Sequence, residues 1–582
     1  DKLLNENTYI SSLFEIYPCW ERLIYENIYY LTKSYSMLIQ RLKNDHLSIV
    51  KILCDGVEFY RPVEIKTSIS DSHKEGETVA IISLDNGKKI VYKPRSLKAE
   101  KAYQNFVSEL SSKLAIKLKS IMVLDYKQYG WEEYIEAKSC STLIELKRYY
   151  YRFGVLIFVN YILNANDLHV ENVIAMGEYP MVVDAETILD NKRDIDEETA
   201  RNIINDIIHE SVLYSGLLPY YRFGRKGKGV NMSAINGKGG AEYPILLPTI
   251  KDAGTSNMRY EYERPVSQEN SNLAKLKNDF LEPSQFMEEI CAGFSNAYRY
   301  MMEHTEQIPK WVKLFSDLEV RHLVQDTQRY SMLLHTSYHP YFMQDGKDRN
   351  LFLGCLFKEY NKIQGSIDVV KNEIHEMLHM DIPYFYLNTS QNSLFGASGI
   401  EIKNYFPRTS IERLNDKLNS LTLEEMEQQI RFIRIALTDL DSCEKEMSLR
   451  SFVFFNKANE NNSYEFKAIE KITSTLQETA IYGKNKCDVN WIGISSIGER
   501  GNTAWSIRPL SNYFYDGLAG IAVYFAALNK VTGRYDEICN ALEKNLFSYT
   551  EEICERKDEL EGESSGVFNG ESGLIYAYQL LY

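Results

Sequence analysis

No run among the 582 residues is both long and apolar enough to cross a bilayer, so no membrane insertion is expected. Positive charge is also short. Against 81 Asp and Glu stand 66 Lys and Arg, a formal net charge of −15, which argues against a nucleic-acid binder needing a whole basic face. The nine cysteines lack paired or tight spacing. They fit reduced thiols in a cytoplasmic protein, mostly buried apolar fillers, better than a disulfide framework. The chain opens at Asp1 with no initiator Met, basic n-region or apolar signal core, and it stops at Tyr582 inside an unfinished helix. Both ends therefore read as truncated. Neither Gly-x-x-x-x-Gly-Lys-Ser/Thr nor Gly-x-Gly-x-x-Gly occurs, so a standard P-loop or protein-kinase phosphate loop is missing.

The chain is nevertheless an ordinary globular one, 44% hydrophobic and 25% charged, and its length predicts two or more domains. Residues Thr78 to Lys93 read as a β-hairpin with an Asn86-Gly87 type I′ turn, its second strand ending in Lys93. A helix near Ala102 to Leu118 and two β-rich runs, Ile121 to Tyr126 and Trp131 to Ile135, complete a small mixed lobe. A long apolar helix over Leu143 to Leu163 and a short strand over Tyr179 to Asp184 follow. The Gly- and Lys-rich stretch from Lys226 to Gly240 reads as a mobile loop. Beyond residue 250 helices dominate; the clearest carries Leu423, Met426, Ile430, Ile433 and Leu437, opened by Thr422 and Glu425 as a capping box. Tyr515 to Ile521 and Asn569 to Ile575 each open an apolar helix, which predicts the start of a repeating helical domain. The expected units are 1–60 helical support, 61–140 small β-rich lobe, 141–345 large lobe, 346–500 helical completion and 501–582 the helical repeat.

Chemistry concentrates in Asp167-Leu-His169-Val-Glu-Asn172, followed twelve positions later by Asp184-Ala-Glu186. Phosphoryl transfer from ATP needs a carboxylate to accept the hydroxyl proton, an amide and a carboxylate to hold Mg²⁺, and a cation from another element. Asp167, Asn172, Asp184 and Lys93 supply those four in turn, with His169 bracing the loop or touching phosphate. An Asp-x-His-x-x-Asn hexapeptide alone is commonly a polar loop. The strand-borne Lys and Asp-x-Glu set it apart, and its order is closer to lipid kinases of the phosphoinositide type than to protein kinases.

Six segments in order, Lys88 to Arg95, Asp167 to Asn172, Val183 to Thr187, Ser215 to Pro219, Thr327 to Tyr330 and Tyr338 to Pro340, make the chain resemble the class II, LanM-type lanthipeptide synthetases. The resemblance extends over nearly the whole chain. It implies an α+β fold: a lipid-kinase-like two-lobed dehydratase domain with helical additions, followed by the beginning of an α/α-toroid, LanC-like cyclase domain. It implies that one site first phosphorylates Ser/Thr of a ribosomal precursor peptide with ATP and Mg²⁺, then eliminates the phosphate to leave dehydroalanine or dehydrobutyrine. By position, Lys93, Asp167, His169, Asn172, Asp184 and Glu186 match the family's phosphorylation residues, with Lys93 and Glu186 at the nucleotide and Asn172 and Asp184 at Mg²⁺. Asp71, His73, Arg321 and Thr327 match those of elimination.

The second set makes chemical sense: elimination needs abstraction of an α-proton and a cation on the departing phosphate, which Arg321 suits through its paired donors. Read alone, Ser70 to Gly76 is a solvated loop before a hairpin, and Thr327 carries no signal. The implied partner is a precursor peptide with a leader and a Ser/Thr/Cys-containing core, with an export transporter as a candidate associate. Zinc is expected only in a complete cyclase, since no Cys-His dipeptide or paired ligand spacing follows residue 501 and Cys539 and Cys554 cannot complete a site. Cyclisation is therefore not expected, and exposed helix faces in 510–582 predict aggregation. Two other classes stay open: a lipid or small-molecule kinase, and a catalytically silent peptide-binding scaffold.

Overall fold

The computed structural model describes residues 7–67, 70–114, 116–193, 199–222, 229–243, 246–359, 367–438, 463–499, 502–555 and 565–582. A helix over Pro18–Asn44 (α1) backs a five-stranded antiparallel sheet in the order β1-β2-β3-β5-β4. Its strands are Pro62–Lys66 (β1), Ala80–Leu84 (β2), Lys89–Lys93 (β3), Val123–Asp125 (β4) and Gly130–Glu133 (β5). Side chains alternate across a strand. Ala80, Ile82, Leu84, Ile90 and Tyr92 consequently face Leu38, Leu42 and Trp131 in one core, while Ile81, Val91 and Lys93 face the other way.

The hairpin between β2 and β3 turns differently from expectation. Gly87 has φ +82 and Asn86 does not enter the left-handed region. The Gly87 N–H donates to the Leu84 carbonyl at 3.0 Å and the Leu84 N–H to the Lys88 carbonyl at 2.8 Å. That is a three-residue loop closed by a left-handed glycine rather than a two-residue type I′ turn, which needs two left-handed residues. The following helix, Lys98–Lys113 (α2), begins and ends about four residues earlier than its apolar pattern suggested.

The larger lobe is built on Leu143–Ile162 (α3), apolar nearly all round and therefore buried. It packs along Met287–Glu303 (α4), with Phe158 against Phe294 and Tyr298. Beyond α3 a hairpin of Val173–Met176 (β6) and Tyr179–Val182 (β7) stops two residues short of Asp184. β7 ends because Val182 already pairs with Val173, the first residue of β6. Val183 then donates to the Asn172 carbonyl at 2.9 Å, leaving Asp184 outside the ladder.

The expected helical unit 346–500 is corrected in two ways. Glu319–His322 (β8), Phe385–Asn388 (β9), Leu394–Gly396 (β10) and Glu401–Ile402 (β11) form a four-stranded antiparallel sheet that crosses residue 345. Between β8 and β9 run Thr327–Ser337 (α5) and Ile367–Leu378 (α6). A long antiparallel pair, Ile492–Glu499 with Asn502–Pro509, likewise joins strands on the two sides of the expected boundary. In Leu423–Leu437 (α7) only half the expected capping box forms. The Thr422 hydroxyl accepts from the Glu425 N–H at 3.1 Å, but the Glu425 carboxylate is taken by Tyr161 and Gln429. The full box stands at Thr409 and Glu412 instead.

At the C-terminal end, Leu518–Thr532, Asp536–Glu555 and Ser572–Leu581 share a third core with Val489 and Trp491. Tyr515, Val531, Phe568 and Ile575 are exposed there. Among the described cysteines, Cys54, Cys140 and Cys291 are buried, while Cys487 and Cys554 are exposed, so the expected burial holds only in part. Residues 226–228 of the Gly/Lys-rich stretch lie outside the described residues; within the rest, Val230–Asn231 pairs with Tyr221–Arg222. Among the described residues no helix is long and apolar enough to cross a membrane.

Candidate active site

Between the small sheet and the larger lobe lies a cavity of 780 Å³. All ten residues singled out from the sequence line it: Asp71, His73, Lys93, Asp167, His169, Asn172, Asp184, Glu186, Arg321 and Thr327. One wall is apolar: the cross-strand pair Ile81 and Val91 stands with Ile135, Ile174 and Val183. An apolar slot beside convergent charges is the usual form of a small-molecule site.

The charges interlock. Lys93 is only 4% exposed, and its Nζ lies 3.0 Å from Glu132, 3.7 Å from Asp184 and 3.9 Å from Glu100, also donating to the Val183 carbonyl at 2.9 Å. Burial works against the ammonium, but Asp184 and Glu132 outweigh it and hold its pKa above the ordinary value. Two residues on, Arg95 contacts Glu100, reaches Asp184 at 2.8 Å and sets Nε 2.8 Å from Glu186. Arg321, on β8, places Nη1 2.7 Å from Glu186 and bonds through its backbone N–H to the Glu186 carbonyl at 2.8 Å. Burial alone would raise Glu186; Arg95 and Arg321 instead hold it far below the carboxylate range. Among the described residues the buried Nη2 of Arg321 has no partner.

Asp167 sits at φ +57, a left-handed conformation that costs a non-glycine residue about 1 kcal/mol or more. Its surroundings enforce it. The Asn166 side chain accepts from the Asp167 N–H at 2.7 Å, Leu168 donates to the Ser215 carbonyl at 2.9 Å, and the Thr187 hydroxyl bonds the Asn166 carbonyl. Burial raises the Asp167 carboxyl, with His169 and Arg321 opposing. In His169, Nδ1 accepts from the Glu171 N–H at 3.3 Å, which fixes the ring within the loop.

The Ser215 to Pro219 motif gains a physical meaning here. Gly216, at φ +83, packs under the Asp167 to Asn172 loop, and a Cβ there would lie 3.0 Å from the Leu168 carbonyl oxygen. Replacing Gly216 by Ala is expected to cost about 1–3 kcal/mol through left-handed strain and crowding. A urea midpoint equal to that of the parent protein would reject this.

His73 corrects the picture of a solvated loop. Its Nδ1 lies 2.7 Å from the Ile382 carbonyl, which can only accept, so Nδ1 bears the proton and Nε2 keeps a lone pair. The ring lies 5.2 Å from that of Tyr384. Desolvation and Arg321 lower its pKa to about 3, keeping it neutral. Asp71, exposed at the cavity mouth, shares this loop. Thr327 is the first residue of α5, with Asp326 as N-cap held 3.0 Å from Arg222. That helix N-terminus, a favourable place for an anion, borders the cavity.

Several members escaped sequence reasoning. Glu100 and Glu132, which pair with Lys93, had a signal only in strand parity and in the helix start. Asp190 accepts from Tyr214, which accepts from Asn166 at 2.8 Å, and its other oxygen lies 2.8 Å from His322. It thereby ties the start of the Asp167 to Asn172 loop to the residue after Arg321, a link across 132 positions that no local pattern announces. The motif residues Tyr330 and His339 are structural: Tyr330 is buried on Glu373, and His339 caps Pro340–Gln344.

The buried groups set an acid limit on the fold. His73 and His209 are lowered to about 3 and about 4 by desolvation; burial also works against the ionised forms of Glu186 and Asp190, but Arg95 and Arg321 hold the first below the ordinary carboxylate value and the hydrogen bond with His322 the second. Each contributes stability present above its unfolded pKa and lost as pH falls through the folded one. Glu376, raised to about 7 by burial, and Glu132, raised likewise, act oppositely between about 7 and the ordinary carboxylate value. The expected outcome is a shallow dependence near neutrality and a steep loss below about pH 4.5, at about 1.4 kcal/mol per pH unit for each net proton. Urea midpoints that stay constant from pH 5 to 3.5 would contradict it.

Residues 17–388 match the family described as Domain of unknown function (DUF4135), and residues 508–582 match the Lanthionine synthetase C-like protein family. The chain belongs to the DUF4135 family and, with its LanC-like segment, to the class II, LanM-type lanthipeptide synthetases. It is similar to the lacticin 481/lactococcin biosynthesis protein LcnDR2 of Lactococcus lactis subsp. lactis, 26% identical over 518 residues. That match covers 86% of this chain and 54% of the relative, so the chain spans about half the length of the curated protein it matches.

Proposed function

We propose that the chain carries out the dehydration step of lanthipeptide biosynthesis, phosphorylating Ser/Thr of a precursor peptide with ATP and then eliminating the phosphate. The observation that carries this reading is the single cavity: both residue sets, for phosphoryl transfer and for elimination, line it. Asn172 and Asp184 fit Mg²⁺. Both offer hard oxygens on segments joined by the Val183 to Asn172 backbone bond, and Lys93, Arg95 and the Glu186 N–H all approach the Oδ1 side of Asp184. Bound there, Mg²⁺ would neutralise phosphate charge.

In the first step Asp167 accepts the hydroxyl proton while the side-chain oxygen forms its bond to the γ-phosphorus and the bond to ADP breaks. The raised carboxyl of Asp167 suits a base acting on a poorly acidic hydroxyl. Lys93, bracketed by Glu132 and Asp184, stays charged towards the phosphates. In the second step the α C–H bond breaks, its electron pair becomes the C=C bond, and the Cβ–O bond breaks with its pair leaving on phosphate. His73 Nε2 or Asp71 takes the proton, and the unpartnered Nη2 of Arg321 meets the phosphate.

The test is the full chain incubated with a Ser/Thr-containing precursor, ATP and Mg²⁺, followed by mass spectrometry. Loss of water from the peptide is expected. Stable phosphate adducts alone would instead mark a kinase, and an unchanged peptide a silent scaffold.

A further inference from the structure

One cation in the cavity is explained by neither a motif nor an ion pair. Lys74 lines the cavity directly after His73. The other Lys and Arg side chains that line it are paired: Lys93 with Glu132, Arg95 with Glu186, Arg222 with Asp326 and Arg321 with Glu186. Lys74 forms no ion pair among the described residues. Its Nζ lies instead 4.6 Å from the centroid of the Tyr384 ring, and the Cζ of Arg321 lies 5.4 Å from the same ring. An aromatic face holds a cation without neutralising it. Both cations therefore keep donors to spend, since Arg321 gives Nη1 to Glu186 and its Nη2 has no partner among the described residues.

The backbone is built to aim Lys74 inward. Lys74, Glu75 and Gly76 all take positive φ, +49, +67 and +78. Two such non-glycine residues together cost on the order of 2 kcal/mol or more. Asp381 stabilises the turn, accepting from the Glu75 N–H at 2.6 Å and the Gly76 N–H at 3.1 Å. The turn sends Glu75 out to Lys33, 2.5 Å away, and Lys74 into the cavity. A solvated loop would gain nothing from that strain.

We propose that Lys74 and Arg321 form a two-cation clamp on Tyr384 that receives the phosphate monoester dianion of the phosphorylated side chain. This rests on the dehydratase reading above. Arg321 is half neutralised by Glu186, and a departing phosphate gains charge as the Cβ–O electron pair moves onto it. Lys74 supplies the second positive charge and makes or breaks no covalent bond itself.

The experiment uses the full chain and a synthetic phosphoseryl precursor peptide with ADP and Mg²⁺, comparing the parent with Lys74→Met and Lys74→Arg. Lys74→Met is expected to slow single-turnover elimination about 10–100-fold and to raise the inorganic phosphate concentration needed for inhibition by about tenfold. Lys74→Arg should restore most of both, a rescue that a purely packing role would not give. Lys74→Met that eliminates and responds to phosphate like the parent overturns the clamp, as does Lys74→Arg no better than Lys74→Met. A parent chain that leaves the phosphopeptide intact overturns the dehydratase reading itself, separately from any difference among the variants. If Lys74→Met fails to fold, Lys74→Gln carries the same comparison.

Discussion

Asp184→Asn is expected to leave the precursor peptide unmodified, with neither phosphate added nor water lost, and a phosphoryl-transfer rate lower by about 10³-fold. The substitution keeps shape and removes one charge. Around it stand three cations, Lys93, Arg95 and Arg321, and four carboxylates, Glu100, Glu132, Asp184 and Glu186. Losing Asp184 still leaves each cation a carboxylate partner, Glu132 for Lys93, Glu100 and Glu186 for Arg95 and Glu186 for Arg321, so the folded state avoids the several kcal/mol cost of an orphaned buried charge. Removing Lys93 instead would strand Glu132 beside Glu100, which is why Asp184 separates chemistry from stability more cleanly. Melting temperatures near the parent value together with the loss of both products would support the reading. Undiminished phosphorylation by Asp184→Asn would remove Asp184 from the phosphoryl-transfer set.

The elements that line this cavity were legible because each writes a local signal. The alternation of Ile81, Val91 and Lys93 against Ile82, Ile90 and Tyr92 follows from the two-residue period of a strand, and it puts Lys93 on the cavity face. The Asp167 to Asn172 loop and Asp184 stood out through residue types and spacing. What stayed hidden is held by pairings far apart in sequence. β8 joins β9 across more than sixty residues, so a helical reading of 346–500 missed a sheet whose strands are only two to four residues long. Tyr384 reaches His73 and Lys74 only because the Ile382 N–H donates to the Ser72 carbonyl at 3.0 Å. A run such as Ser70 to Gly76 looks solvated by composition, and only Asp381, three hundred positions on, turns it inward. The type of turn after β2 failed for a subtler reason: Asn-Gly suits both loop lengths, and the hydrogen bond from Gly87 to Leu84 decides between them.

Arg321→Ala is expected to split the two reactions, so that phosphorylated peptide accumulates while dehydrated product falls by about 10²–10³-fold. Glu186 is the reason phosphorylation survives. It keeps the Arg95 Nε at 2.8 Å when the Arg321 guanidinium is gone, so its carboxylate remains compensated and the nucleotide side of the cavity keeps its charge. The phosphate of the intermediate, by contrast, loses the buried Nη2 of Arg321, which has no partner among the described residues. Arg321→Lys should fall between the two, since an ammonium supplies charge without the planar pair of donors. The measurement is a time course by mass spectrometry, with phosphorylated and dehydrated species counted separately at each point. Dehydration at the parent rate would show that phosphate leaves without Arg321. Loss of both products together would place Arg321 in the first step and dissolve the division of the cavity into two sets.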